Sequence, residues 1–266
     1  MAPPDLRPET SAAIEAVTAA LRIVQRREGA ESIRWKGPGD LVTGTDVLSQ
    51  DTMQRILAHH QPEVAFIGEE GETTQEAGDG RYWLVDPLCG TANYAARLPL
   101  YAVNVALVED GQVSLSAVGD GATGEVYAAE RGRGAWRLGS RAGEPLAVSD
   151  TTGLISLDTN FPEPSGFNRA FAVRVIAAGR WKVRVLATTL SLVYLAAGRL
   201  AGAVSAFGGS PVHSAAGLLL AQEAGATVTD EHGAPWQPRN AVQVVAATPD
   251  LHRELLELAQ RVRAEL

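Results

Sequence analysis

The chain has 266 residues, room for one large domain or for two fused lobes. Its 23 Lys and Arg against 31 Asp and Glu leave a net charge of −8, which excludes the broad basic field that gathers nucleic acid or anionic lipid. With 45% apolar and 20% charged residues it falls in the globular range, away from disordered, collagen-like and coiled-coil chains.

In chain order, apolar residues recur at helical spacing from Ser11 through Val24, with Gly29 as a stop, and predict a first helix. Lys36 to Asp40 is turn chemistry, and Thr45-Asp46 is placed to cap a second helix over Val47 to His59. Strands are predicted at Val64–Ile67, Tyr82–Val85, Ala102–Glu109, Ser114–Asp120 and Glu125–Glu130; Gly-bearing turns between the last three indicate a largely antiparallel sheet. Arg131 to Gly134 reads as a hairpin turn.

Beyond Gly153 strand and helix signals alternate: Leu154–Leu157, a helix over Phe167–Ala178, Val183–Leu186, a helix over Leu190–Ala197, and a strand over Gly202–Phe207. A helix over Ser214–Ala224, strands at Ala226–Thr229 and Val242–Ala246, and a charged helix from Leu251 follow. This order predicts a mixed α/β (α+β) protein of two lobes, residues 1–150 and 151–266, with a soft boundary near 140–152.

Cys89 is the single cysteine, so no intramolecular disulfide forms and the cytoplasm is the expected compartment. Met1 to Arg7 lack the basic-then-apolar pattern of a signal peptide. The apolar stretch from Val185 to Phe207 is broken by Arg199 and holds several Ser and Thr, and reads as buried helix and strand. His59, His60, His232 and His252 read as surface residues.

Four polar clusters end apolar segments, where rigid scaffolds usually place function: Asp40–Asp46, Phe66–Glu70, Trp83–Thr91 and Gly208–Gly217. In the third, a carboxylate at Asp86 follows an apolar strand and precedes Pro, Gly and Thr, an arrangement that turns backbone N–H groups toward an anion. Asp46, Glu69 and Asp86 are hard oxygen donors from three segments, a set suited to Mg²⁺; helix capping and solvated surface charge are the simpler roles for such carboxylates.

Together these segments resemble the inositol monophosphatase family of the Mg²⁺-dependent, lithium-sensitive sugar phosphatases. Asp40-Leu41-Val42-Thr43 with Thr45-Asp46 is similar to its DLVTxTD, Gly68-Glu69-Glu70 to its GEE, and Asp86 to Thr91 to its DPxDGT. Ala196 to Leu200, Ala215 to Gly217, Glu223 to Ala226 and Val228 to Asp230 match its second half. The resemblance implies an αβαβα layered fold, a homodimer and a small phosphorylated metabolite as partner, without nucleic acid or membrane. It also implies that Glu69, Asp86 and the Leu88 carbonyl hold a first Mg²⁺, that Thr91 and Asp46 orient the attacking water, and that the N–H groups of Gly90 and Thr91 grip phosphate.

The departures from the family pattern converge on a second metal position. Two Asp ligands of that position are Cys89 and His213 here, and Val212 stands for the Trp beside the latter. A Gly-Ser-Ala segment against the substrate reads Leu186-Ala187-Thr188, leaving Thr188 as a substrate contact, and an acidic substrate contact becomes Ala206. An ordinary inositol phosphate is therefore a poor substrate candidate.

Three readings of the pair follow. Asp86, Cys89 and His213 could bind Zn²⁺ or another soft metal. Cys89 could act as a nucleophile with His213 as its base, its thiol pKa lowered at a helix N-terminus. Or the second metal is lost, and Cys89 and His213 are a small buried hydrophobe and a helix cap in a non-catalytic phosphometabolite binder.

Overall fold

The computed structural model describes residues 5–37, 40–70, 80–139, 143–157, 166–206, 210–238, 240 and 242–266. Pro38-Gly39 of the expected turn, Phe207 at the expected strand end and Gly208-Gly209 of the fourth cluster lie outside them.

Pro8 at the first helical position opens α1 (Pro8–Arg26), because its missing N–H has no helical partner to lose there. Ala12, Ala13, Ala16, Val17, Ala20, Leu21 and Val24 form its buried face, and Arg27 ends it in the left-handed region. β1 (Ile33–Gly37) and β2 (Asp40–Thr43) then pair as an antiparallel hairpin before α2 (Gly44–His60). The sequence predicts no strand ahead of the second helix. Four of the five β1 residues are exposed, so no alternation of apolar and polar residues marks the strand.

Seven strands make the first sheet: β3 (Ala65–Gly68), β4 (Tyr82–Cys89), β5 (Ala102–Glu109), β6 (Gln112–Asp120), β7 (Val126–Glu130), β8 (Gly134–Leu138) and β9 (Glu144–Pro145). They lie in chain order, with β3 parallel to β4 and every other pair antiparallel. A short α3 (Thr91–Ala95) follows β4 directly. The expected turn at Arg131 to Gly134 joins β7 to β8.

The second sheet holds β10 (Leu154–Leu157), β11 (Lys182–Arg184), β12 (Gly202–Ala206), β13 (Thr227–Thr229) and β14 (Val242–Ala246), in the order β11-β10-β12-β14-β13. Four helices accompany it: α4 (Phe167–Ala178), α5 (Leu190–Ala196), α6 (Ala215–Glu223) and α7 (Pro249–Ala264).

Three apolar cores bind five layers, the central one lining both faces of the middle layer. Face residues of α1 and Met53 and Leu57 of α2 pack with Val85, Val105 and Leu115 on one face of the first sheet. Leu84, Val118 and Tyr127 on its other face meet α5 and α6, which also cover Ala203 and Val245 of the second sheet. Ile155, Val204 and Val244 pack outward on α4 and α7. The order α1 and α2, sheet, α5 and α6, sheet, α4 and α7 is the αβαβα arrangement. α6 is buried along seven of its nine residues, which is why its sequence is apolar all round.

Among the described residues no helix is long and apolar enough to cross a membrane. His252, expected at the surface, is buried on α7 with its Nε2 2.9 Å from Thr229 Oγ1. Burial holds its imidazole below the ordinary value.

Candidate active site

The site grows from the end of β4. The strand is buried from Trp83 to Cys89, and its register against β5 slips between Asp86 and Cys89. A bulge of this kind bends the strand and re-aims its groups, and Pro87 supplies no ladder donor there. Asp86 Oδ1 accepts the Leu88 N–H at 3.1 Å, which tightens the bend. Gly90 then caps α3 with φ 98°, and a Cβ there would stand 2.9 Å from the Leu100 carbonyl oxygen, so the turn requires glycine. The N–H groups of Gly90 and Thr91 sit at this helix start, where no intrahelical acceptor exists.

Asp46 is brought to this turn by α2. Thr43 is the N-cap, and Asp46 Oδ2 accepts from Thr43 N at 2.9 Å and Thr43 Oγ1 at 2.6 Å, closing a capping box. The cap expected at Thr45-Asp46 therefore belongs to Thr43, with Asp46 as its partner one turn in. The other oxygen, Oδ1, lies 2.9 Å from Thr91 Oγ1, which is also 3.0 Å from the Leu88 carbonyl oxygen. Burial pushes the Asp46 carboxyl up to about 6, against the pull of the Thr43 and Thr91 hydrogen bonds.

Glu69 follows β3, its N–H donating to the Val85 carbonyl, which sets it beside Asp86. Burial, and next the charge of Asp86, hold the Glu69 carboxyl well above its ordinary value. Lys36 Nζ lies 3.2 Å from Glu69 Oε1, 2.9 Å from Glu70 Oε1 and 3.4 Å from Asp40 Oδ1. Burial opposes its charge, and Glu69 and Glu70 outweigh that, so its ammonium is held above its ordinary value. In the sequence Lys36 reads only as part of a turn. Its signal was composition: it is one of two lysines in a chain whose other basic residues are arginine.

Cys89 and His213, far apart in sequence, meet at Asp86. His213 closes a short 3₁₀ turn (Pro211–His213), and its Nδ1 lies 2.9 Å from Asp86 Oδ2. One donor atom each from Asp86, Cys89 and His213 falls within 4.8 Å of the others. Burial works to strip the imidazole of its proton, but hydrogen bonds to Asp86 and Cys89 and the charges of Asp86 and Glu69 outweigh it and hold its pKa well up.

The thiol shifts in the direction opposite to the lowering expected at a helix N-terminus. Cys89 is buried, and burial followed by the Asp86 charge pushes its thiol up to about 11. The five-residue α3 does not offset that loss of hydration.

Thr189, unremarked in the sequence, holds both replaced residues. Its N–H donates to Cys89 Sγ at 3.2 Å, and its hydroxyl donates to the His213 carbonyl. That hydroxyl lies 3.1 Å from Cys89 Sγ and accepts from Asn104 Nδ2 at 2.7 Å. Thr188, expected to touch substrate, is buried and donates to the Cys89 carbonyl at 3.0 Å. Ala187 has φ 53°, in the left-handed region that favours glycine. Ala206 is buried, its N–H donating to Asn168 Oδ1, and Val212 lies in the central core.

The donor chemistry divides the site. Glu69 and Asp86 are crowded carboxylates with Lys36 drawn to their edge, and the Leu88 carbonyl lies on the same turn; this all-oxygen set fits Mg²⁺. The set of Asp86, Cys89 and His213 does not, because Mg²⁺ demands oxygen and binds thiolate and imidazole poorly.

Five layers with this oxygen cluster at a strand end define a phosphatase fold of the metal-dependent class. Matched to the profile described as the inositol monophosphatase family over residues 5–264, the chain belongs to that family. An inositol-1-monophosphatase of Rhizobium meliloti is 33% identical over 85% of each chain, and a Nus factor SuhB of Vibrio cholerae 30% identical over 97% of each. Among solved structures, the extragenic suppressor protein suhB of Bartonella henselae superposes with a TM-score of 0.83 at 25% identity, covering 95% of this chain and 98% of the other. An inositol monophosphatase of Thermotoga maritima gives 0.81 at 28% identity, covering 95% and 96%.

Proposed function

We propose that this chain hydrolyses the phosphate monoester of a small sugar, cyclitol or nucleotide-like metabolite, as a cytoplasmic homodimer with Mg²⁺ at Glu69, Asp86 and the Leu88 carbonyl. The observation that carries the reading is the link from Asp46 Oδ1 through Thr91 Oγ1 to the Leu88 carbonyl. It joins a buried carboxylate to the proposed ion position through one hydroxyl. Loss of an acidic side chain at Ala206 argues against an ordinary inositol phosphate.

A hydroxyl has one proton and two lone pairs. By donating to Asp46, Thr91 keeps a lone pair for a water, so a proton leaving that water passes to Thr91 as the Thr91 proton passes to Asp46. With its carboxyl near 6, Asp46 is ionised and ready to accept at neutral pH. The N–H groups of Gly90 and Thr91 orient a phosphoryl oxygen. A divalent ion, when bound, supplies charge neutralisation for the phosphoryl group. Attack by Cys89 is the less favoured reading, since burial pushes its thiol up to about 11 and leaves little thiolate at neutral pH.

A panel of phosphate monoesters assayed with Mg²⁺, Mn²⁺ and Zn²⁺ tests the reading. We expect phosphate release with Mg²⁺, reduced about 10²- to 10⁴-fold in Asp46→Asn and Thr91→Val. Ligand binding without release under any metal would instead make the chain a silent phosphometabolite binder. Sedimentation tests the homodimer.

A further inference from the structure

Cys89, His213 and Asp86 present sulfur, nitrogen and oxygen to one point, their donor atoms within 4.8 Å of one another. That is the ligand number of a catalytic-type zinc site, three protein groups with one position left for water or substrate. Mixed sulfur and nitrogen donors select transition metals over Mg²⁺.

The surrounding hydrogen bonds are those a thiolate ligand needs. Thr189 N–H points at Cys89 Sγ, and the Thr189 hydroxyl holds the His213 carbonyl, so one residue fixes both ligands. Asn104, itself buried, fixes the Thr189 hydroxyl in turn. Partners of this kind set ligand orientation, and removing one typically weakens metal affinity about 10- to 100-fold.

We propose that Asp86, Cys89 and His213 form a binding site for a thiophilic divalent ion of the Zn²⁺ class, positioned by Thr189, where the family's second Mg²⁺ would lie. The proposal deepens the phosphatase reading, because the ion would stand beside Mg²⁺ with Asp86 shared between them. On binding, Cys89 gives its thiol proton to solvent and an imidazolium His213 gives one of its two ring protons; thiolate sulfur and a lone pair of the neutral imidazole then bond to the ion with no change of oxidation state.

The test is a Co²⁺ titration of the metal-free full chain in excess Mg²⁺, read by absorption. One equivalent should give a thiolate-to-cobalt charge-transfer band in the near ultraviolet with the strong visible bands of a four-coordinate ion, and Zn²⁺ should bleach both. Cys89→Ser should lose the ultraviolet band, and Thr189→Val should weaken Co²⁺ binding about 10-fold while Thr189→Ser restores it. The double change Cys89→Asp with His213→Asp should remove the thiolate band and exchange preference toward Mg²⁺.

No thiolate band in the wild-type chain, a band unaltered in Cys89→Ser, or displacement of Co²⁺ by Mg²⁺ would overturn the proposal. The spectrum needs no turnover. A cobalt band in a chain without phosphatase activity upholds this site and removes the phosphatase reading; phosphate release without the band does the reverse.

Discussion

His213 Nδ1 lies 2.9 Å from Asp86 Oδ2, a contact that joins the last strand residue before the β4 bend to a turn 127 residues further along the chain. It places a nitrogen where the family pattern has a carboxylate, and it leaves the Asp46 and Thr91 half of the site untouched. The two halves can therefore be tested separately.

In the proposed mechanism Asp46 sets the acid limb of activity. Only its carboxylate accepts the proton from Thr91, so kcat should rise with pH through about 6 and level off above it. Stability runs the other way. A carboxyl raised from 3.8 to about 6 by folding contributes most below pH 3.8, and that contribution is lost as pH rises through 6. Asp46→Asn should thus lose about 10²- to 10⁴-fold of Mg²⁺-supported activity, yet in metal-free form melt higher than metal-free wild type at pH 8, with the difference gone at pH 4. A variant that melts lower at pH 8 would contradict the desolvation argument.

Native Cys89 should resist alkylation. A shift from 9.0 to about 11 cuts the thiolate fraction about 100-fold, and burial blocks approach as well. Iodoacetamide should label the metal-free chain in urea at least that much faster than in buffer at pH 7.5, read by mass spectrometry. Equal rates would show an exposed thiol.

Ala187→Gly should stabilise the protein. A non-glycine residue in the left-handed region costs about 1–2 kcal/mol, and glycine loses part of that gain through its more flexible unfolded chain. Urea unfolding should show a gain of up to about 1 kcal/mol with an unchanged m-value.

Acid should loosen the N-terminal end of the first sheet. Arg7 donates to Glu109 from 2.8 Å, and Arg81 Nε lies 2.8 Å from it, which together hold its carboxyl at about 2. Because the folded value lies below the unfolded one, the stabilisation is present above pH 4.5 and lost as pH falls toward 2. Glu109→Gln should cost about 0.5–1 kcal/mol at pH 7, as befits a partly exposed pair, and nothing at pH 2.

The readable parts of this site were those whose function depends on position along the chain. Asp46, Glu69 and Asp86 each close an apolar run, so the sequence displays them next to the elements that carry them. Cys89 and His213 stood out because carboxylates were expected there. Thr189 did not, because its role consists of bonds to residues 100 and 24 positions away, which no local pattern encodes. Lys36 was hidden for a different reason: its strand is exposed along most of its length and lacks the periodicity that reveals buried strands. Helices were legible to within a few residues wherever one face was apolar, as in α1 and α4, whereas the two-residue β9 is too short to leave a trace.

The bend in β4 gathers the Asp86 carboxylate, the Leu88 carbonyl and the Cys89 thiol within four consecutive residues and fixes them by backbone shape. Exchanging the side chains at 89 and 213 therefore changes the donor chemistry beside Asp86 while leaving the strand path and the Asp46–Thr91 contact in place.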